Sequence, residues 1–243
     1  MTALVAQTRV ELTLTLRRGE SVLLALGIPV LLLAFFASVD VLPKGTAVDA
    51  VDFLAPGILA LAVMSTAMVG LGIATGFERQ YGVLKRLGST PLGRPNLLAA
   101  KTIAILAVEL LQAVVLVVEA WLLGWHPGQG SSPIQALGAI ALATIAFAGI
   151  GLLMAGTLRG EVVLAAANGL YLLLLLLGGM VVPIAKLPRW LQAISRALPA
   201  GALSDALHHA LGGAHVAGAG HWLVLAGWAV VAPVAAALTF RWE

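Results

Sequence analysis

Two carboxylates in this 243-residue chain sit where a charge is expensive: Glu109 and Glu119 lie in a run from Thr102 to Trp125 that holds no lysine or arginine. At about 100° per helical residue, Glu109, Gln112, Leu116 and Glu119 share one side, within roughly 80° of arc. A carboxylate turned towards hydrocarbon costs several kcal/mol. The stripe is therefore expected to face protein or a wet cavity, as a subunit interface or the lining of a pathway. Glu119, near Trp121 and Trp125, has a second reading, in which it snorkels to the membrane–water boundary. Ion coupling through Glu109 finds no support, because no basic residue occurs in a neighbouring apolar run. A second cluster is His208, His209, His215 and His221 with Asp205. Adjacent histidines point to different helix faces. Asp205 and one imidazole on a shared face do not complete a metal ligand set, and there is no cysteine to help. No G-x-x-x-x-G-K-[ST] loop, nucleophile elbow or zinc-protease helix occurs, so no cofactor is expected in this chain and an intramembrane enzyme lacks its machinery.

The elements that must position these residues are membrane helices. The chain is 60% hydrophobic and only 10% charged, with a mean hydropathy of +1.02. A soluble domain carries about a quarter charged residues, so bilayer lipid must solvate most of this one. Six apolar stretches are long enough to cross: Val22–Val39, Phe53–Gly76, Thr102–Trp125, Ile134–Leu158, Val162–Val182 and Trp222–Phe240. The runs are continuous rather than alternating, which excludes barrel strands. Gly70 with Gly72, and Gly151 through Gly156, are expected to let helices approach closely. The expected fold is one all-α integral membrane domain over 1–243 with six transmembrane helices.

Cations set the orientation. Arg9, Arg17 and Arg18 precede the first stretch; Arg79, Lys85, Arg86, Arg94 and Lys101 separate the second and third; Arg159 and Arg241 follow the fourth and sixth. The alternate loops hold Lys44, Lys186, Arg189 and Arg196. Ten against four places both termini in the cytoplasm. The first stretch is not expected to be a cleaved signal, because Glu11 and Glu20 lie in the long segment before it. Residues 1–20 mix leucines with arginines, as an interfacial amphipathic helix or as a loosely ordered tail.

The segment 77–101 is longer than a connection between spans needs. A short helix from Glu78 to Leu87 would place Tyr81, Leu84 and Leu87 on one side, with Arg79, Lys85 and Arg86 elsewhere around it. Gly88 and Pro91 stop it, and Pro95 with Asn96 opens the next helix. Such an ordered, amphipathic loop suits docking of a cytoplasmic partner. Beyond the fifth span, Leu187–Leu198 and Ala200–Leu211 are too short to cross, and are bounded by Pro183, Pro188 and Pro199. They are expected to form an outer interfacial or re-entrant hairpin over 183–218.

Glu78-Arg79, Tyr81-Gly82-Val83-Leu84-Lys85-Arg86-Leu87, Thr90-Pro91-Leu92 and Lys101 opening a span resemble the coupling segment of ABC-2 type export permeases. Those are membrane subunits of drug, lipid and polysaccharide exporters. Gly178-Gly179-Met180, Pro183, Leu187-Pro188-Arg189-Trp190-Leu191, Ser195-Arg196 and Leu198-Pro199 are similar to the family's outer segment before the last span. The resemblance implies a multi-pass permease of the cytoplasmic (inner) membrane of a prokaryote, with a second permease copy and separate ABC ATPase subunits. ATP and Mg would sit on those subunits, and the partners are protein and the lipid bilayer, with no nucleic acid. It further implies that Glu78, Arg79, Tyr81, Leu84, Lys85, Arg86 and Leu87 engage the ATPase, and that Pro183, Pro188, Trp190 and Pro199 shape the outer cap. Export of an amphipathic drug-like or lipid-linked substrate follows from the same likeness. A secondary transporter driven by an ion gradient is the alternative, and it would need broken helices and functional charges in mid-membrane.

Overall fold

The computed structural model describes residues 3–17, 19–39, 50–89, 92–128, 130–181, 183–212 and 219–240. The expectations attached to Arg18, Lys44, Thr90, Pro91, His215 and Arg241 lie outside the described residues. In chain order the elements are α1 (Ala3–Arg17), α2 (Gly19–Ser38), α3 (Ala50–Met64), a π-helical turn (Ser65–Gly70) and α4 (Leu71–Gln80). Then come α5 (Val83–Gly88), α6 (Arg94–Leu122), α7 (Pro133–Thr157) and α8 (Gly160–Leu177). A 3₁₀ turn (Ile184–Lys186), α9 (Arg189–Ala197), α10 (Pro199–Gly212) and α11 (Gly220–Thr239) complete the order. No strand occurs among the described residues. Five helices have the length and apolarity to cross a bilayer: Val51–Gln80, Arg94–Leu122, Pro133–Thr157, Gly160–Leu177 and Gly220–Thr239. A shorter apolar stretch, Leu23–Ser38, lies in α2. This is an all-α, multi-pass membrane protein.

Local chemistry accounts for the helix ends. Ser132 accepts from the Gln135 backbone N–H while Pro133 occupies the first helical position of α7, where a missing N–H costs nothing. α7 ends at Thr157 and α8 begins at Gly160, so Arg159 falls in the connection. α3, the π turn and α4 form one continuous span.

α7 is the centre of the packing. An added Cβ at Gly149 would lie 2.6 Å from the Pro233 nitrogen of α11, and one at Gly151 would lie 2.6 Å from the Met68 carbonyl oxygen of the π turn. Backbones approach this closely only where no side chain intervenes. α10 packs against α3, α7 and α11 with Leu203 and Leu207 fully buried. Its last carbonyls, at Ala210 and Leu211, accept from the backbone N–H groups of Ser132 and Gly128, which satisfies a helix end that would otherwise be orphaned. The surfaces of α6, α8 and α11 away from this core carry Val114, Val118, Leu172, Leu176, Val230 and Leu238 in exposed positions, as a lipid-facing surface requires.

Two expectations are corrected. The helix placed at Glu78–Leu87 is split: Glu78 and Arg79 belong to the last turn of α4, and α5 starts only at Val83. Gly82 adopts φ +73° between them, a left-handed conformation that lets the chain turn sharply. In consequence Tyr81 and Leu84 do not share a face: Tyr81 is 73% exposed and Leu84 is completely buried. Residues 3–17 are helical and packed along α6 with Glu11 buried, so the loose-tail alternative does not describe them.

Candidate functional site

Glu78 and Arg79 stand at the end of the molecule where α1, α4 and α6 meet, beside α5. Lys101, expected to open a span, sits in the second turn of α6 and is only 2% exposed. Its ammonium donates to Glu11 Oε2 of α1 at 2.9 Å and to Glu78 Oε2 of α4 at 2.6 Å. Gln7 of α1 donates to the other Glu11 oxygen at 2.8 Å. A buried ammonium needs such partners, since an unpaired one would be driven to water. Next to this node, the Arg79 guanidinium donates to the Leu158 carbonyl at the end of α7. The root of the short helix α5 is thus tied to three other elements.

Along α5 the side chains divide. Leu84 is driven into the core and anchors the helix, while Tyr81, Val83, Lys85 and Arg86 are exposed and Leu87 is half-buried. The Phe77 and Tyr81 rings stack at 6.1 Å across the α4 terminus. The outward face is therefore Tyr81, Val83, Lys85 and Arg86. Val83 was not singled out from the sequence, and Leu84 drops out of the face as a contact residue.

A groove of about 770 Å³ opens from the node between α1, α2, the π turn, α4 and α6. Glu11, Glu78, Lys101 and Tyr81 form its polar end, and Leu24, Ile28, Val69, Ile73, Ile105 and Val108 line the rest. This is the size and character of a site for a mid-sized, largely apolar molecule.

Deeper along α6, Gln112 and Glu109 of the stripe each find a protein partner. Gln112 is 2% exposed; it donates to the Ala25 carbonyl of α2 at 2.5 Å and accepts from Thr66 of the π turn at 3.1 Å. Glu109 is 1% exposed, and one of its oxygens accepts from the Thr144 hydroxyl of α7 while the other has no partner. Glu119 is half-buried, Trp121 is exposed, and Trp125 is buried. Glu109, Gln112 and Leu116 thus face protein, while Trp125 is buried rather than exposed beside Trp121.

At the opposite end of the molecule, Pro183 and Pro188 cap the 3₁₀ turn and α9, and Pro199 opens α10. Trp190 is exposed on α9. An added Cβ at Gly201 would meet the Ser195 carbonyl at 2.1 Å, so α9 and α10 fold tightly on each other. His208 Nδ1 lies 2.7 Å from the Ser204 carbonyl oxygen, and Nε2 lies 3.0 Å from that of Phe53 in α3. Burial holds the His208 imidazole below its ordinary range, opposed by those two carbonyls. Burial likewise raises Asp205, with Arg196 acting against it. The His209 and His221 rings are 5.9 Å apart, and no three potential ligands gather among the described residues.

A groove, a charged node at one end of it and the exposed face of α5 thus lie side by side. No curated protein matches the chain. The family model described as ABC-2 type transporter matches residues 2–211. The chain belongs to the ABC-2 type transporter family, as a membrane permease component of an ABC-type transporter that implies an ABC ATPase partner.

Proposed function

We propose that this chain is the permease subunit of an ATP-driven exporter, carrying an amphipathic drug-like or lipid-linked substrate out of the cytoplasm. The observation that carries the reading is that one short stretch serves two surfaces. Tyr81 and Val83 are exposed on the rim beside Lys85 and Arg86, while Glu78, three residues earlier, bonds Lys101 in the groove wall. A push on the rim is therefore delivered to the groove through an ion pair rather than through a flexible loop.

In this reading the basic end faces the cytoplasm, as the distribution of lysine and arginine favours. A separate ATPase, holding ATP and Mg, grips the α5 face, and a second permease copy completes the pathway in the cytoplasmic membrane of a prokaryote. Closure of the ATPase shifts α4 and α5 between two packed states. An apolar groove open at the inner leaflet favours a substrate that can leave the lipid over a small hydrated solute. Co-purification with a separately expressed ABC ATPase tests the proposal. Tyr81→Glu and Val83→Glu are expected to abolish that association while leaving the permease folded. Retained association would overturn the docking assignment. Transport by this chain alone, without ATP, would overturn the proposal as a whole.

A further inference from the structure

The inner groove stops at a defined place. Its liners along α6 are Lys101, Ile105 and Val108; one turn beyond Val108 stands Gln112. Two helix irregularities meet there. Pro29 lies inside α2, and having no N–H it leaves the carbonyl four residues earlier, that of Ala25, without a helical donor. The π turn interrupts the second span and presents Thr66, and π turns gather at functional sites. The Gln112 amide answers both, donating to Ala25 O and accepting from the Thr66 hydroxyl. Ala25 and Thr66 themselves line the groove. Farther along α6, in its seam with α3, lies a separate void of about 10 Å³, where Leu116 and Ala120 meet Ala55 and Leu59 of α3, Trp125 and Leu211 of α10, room for a single water at most.

We infer that Gln112 is the latch that ends the inner groove, a positioning residue holding α2 near Pro29 against the π turn so that the seam beyond stays shut. This deepens the proposed export function, because it assumes that the groove is the inner part of the pathway. When the amide lets go, α2 can swing at Pro29 and the groove extends along Leu116 towards the far face. The Gln112 N–H serves Ala25 while its oxygen serves Thr66, so one side chain closes both helix irregularities at once, and its loss frees both together.

The chain has no cysteine, so a single Leu116→Cys reports the seam in the assembled complex in membrane vesicles without nucleotide. The probe is a maleimide reagent added in the aqueous phase. With Gln112 intact the thiol is expected to be protected. Gln112→Met keeps the volume and removes the amide, and should raise the labelling rate about fivefold, the worth of one to two interhelical hydrogen bonds. Thr66→Val removes one bond and should give a smaller rise. Pro29→Ala restores an N–H for the Ala25 carbonyl, and in that background Gln112→Met should change labelling less than about twofold. A merely structural role for Gln112 would not be rescued by a change in α2. Equal labelling with and without the amide would overturn the latch, as would an undiminished effect in the Pro29→Ala background. Neither outcome depends on ATP, so failure here is separable from failure of the ATP-driven reading.

Discussion

Around α7 the helices meet through absence: Gly149 lies under Pro233, Gly151 under the Met68 carbonyl, and Ala143, Ala146 and Ala155 are fully buried. Around α1, α2 and the inner half of α6 they meet through polar bonds, Glu11–Lys101–Glu78 and Ala25–Gln112–Thr66, with a 770 Å³ groove between them. Close-packed small residues lose dispersion contacts steeply when separated, so they have one good arrangement. Interhelical hydrogen bonds in a membrane are worth only about 0.6 kcal/mol each, and beside an open groove few dispersion contacts add to them. One region is therefore built as a fixed block and the other as a sector that can rearrange, and the rim that a partner would grip belongs to the second.

The first way to break this contrast is to put volume into the block. Gly149→Leu would force a side chain onto the Pro233 backbone of α11; a loss of at least about 3 kcal/mol is expected, since backbone cannot yield as a side chain can. Thermal unfolding in detergent should show a collapsed transition or no folded protein. In the polar sector, Lys101→Met leaves two carboxylates facing each other without their ammonium. The expected cost is about 3 kcal/mol, and Lys101→Met combined with Glu11→Gln and Glu78→Gln should recover much of it. Failure to recover would mean that Lys101 acts through packing rather than charge. Thr144→Val strips Glu109 of its hydroxyl donor, for an expected loss of about 1–2 kcal/mol by denaturant titration.

The smallest effect sharpens the contrast at the outer end. His208 has its proton affinity lowered by burial, so the folded state binds the proton less readily than the unfolded state does. Its contribution is complete above the ordinary histidine range near 6.5 and declines as pH falls through it. Melting temperature should drop modestly on acidification below about pH 6.5, and His208→Gln should flatten that slope. An unchanged slope would show that the ring is not what responds.

The block was legible because glycine, alanine and long apolar runs announce membrane helices whatever their neighbours. The stripe at Glu109 and Gln112 was legible too, because helical period alone decides which residues share a side. The node was not. Glu11 belongs to a segment whose mixed pattern fitted helix or tail, and its partners Glu78 and Lys101 lie 67 and 90 positions away in sequence. Nothing in local spacing brings them together. Lys101 did carry a signal: it lies six residues past Pro95, well inside a helix that the proline opens, where a loop cation would not be. The split between α4 and α5 hinged on Gly82, whose left-handed turn competes with continued helix in a way that periodicity does not register. Pro29 and Gln112 lie in separate spans, and only their packing shows that one supplies the bond that the other removes.

The contrast between sectors is tested most directly by nucleotide-dependent labelling of single cysteines in the complete transporter. Ile28→Cys reports the groove wall, and Leu207→Cys reports the block. ATP is expected to change the maleimide reaction rate severalfold at position 28 and to leave position 207 protected throughout. An unchanged rate at position 28, or an equal change at both positions, would contradict a rigid block paired with a moving polar sector.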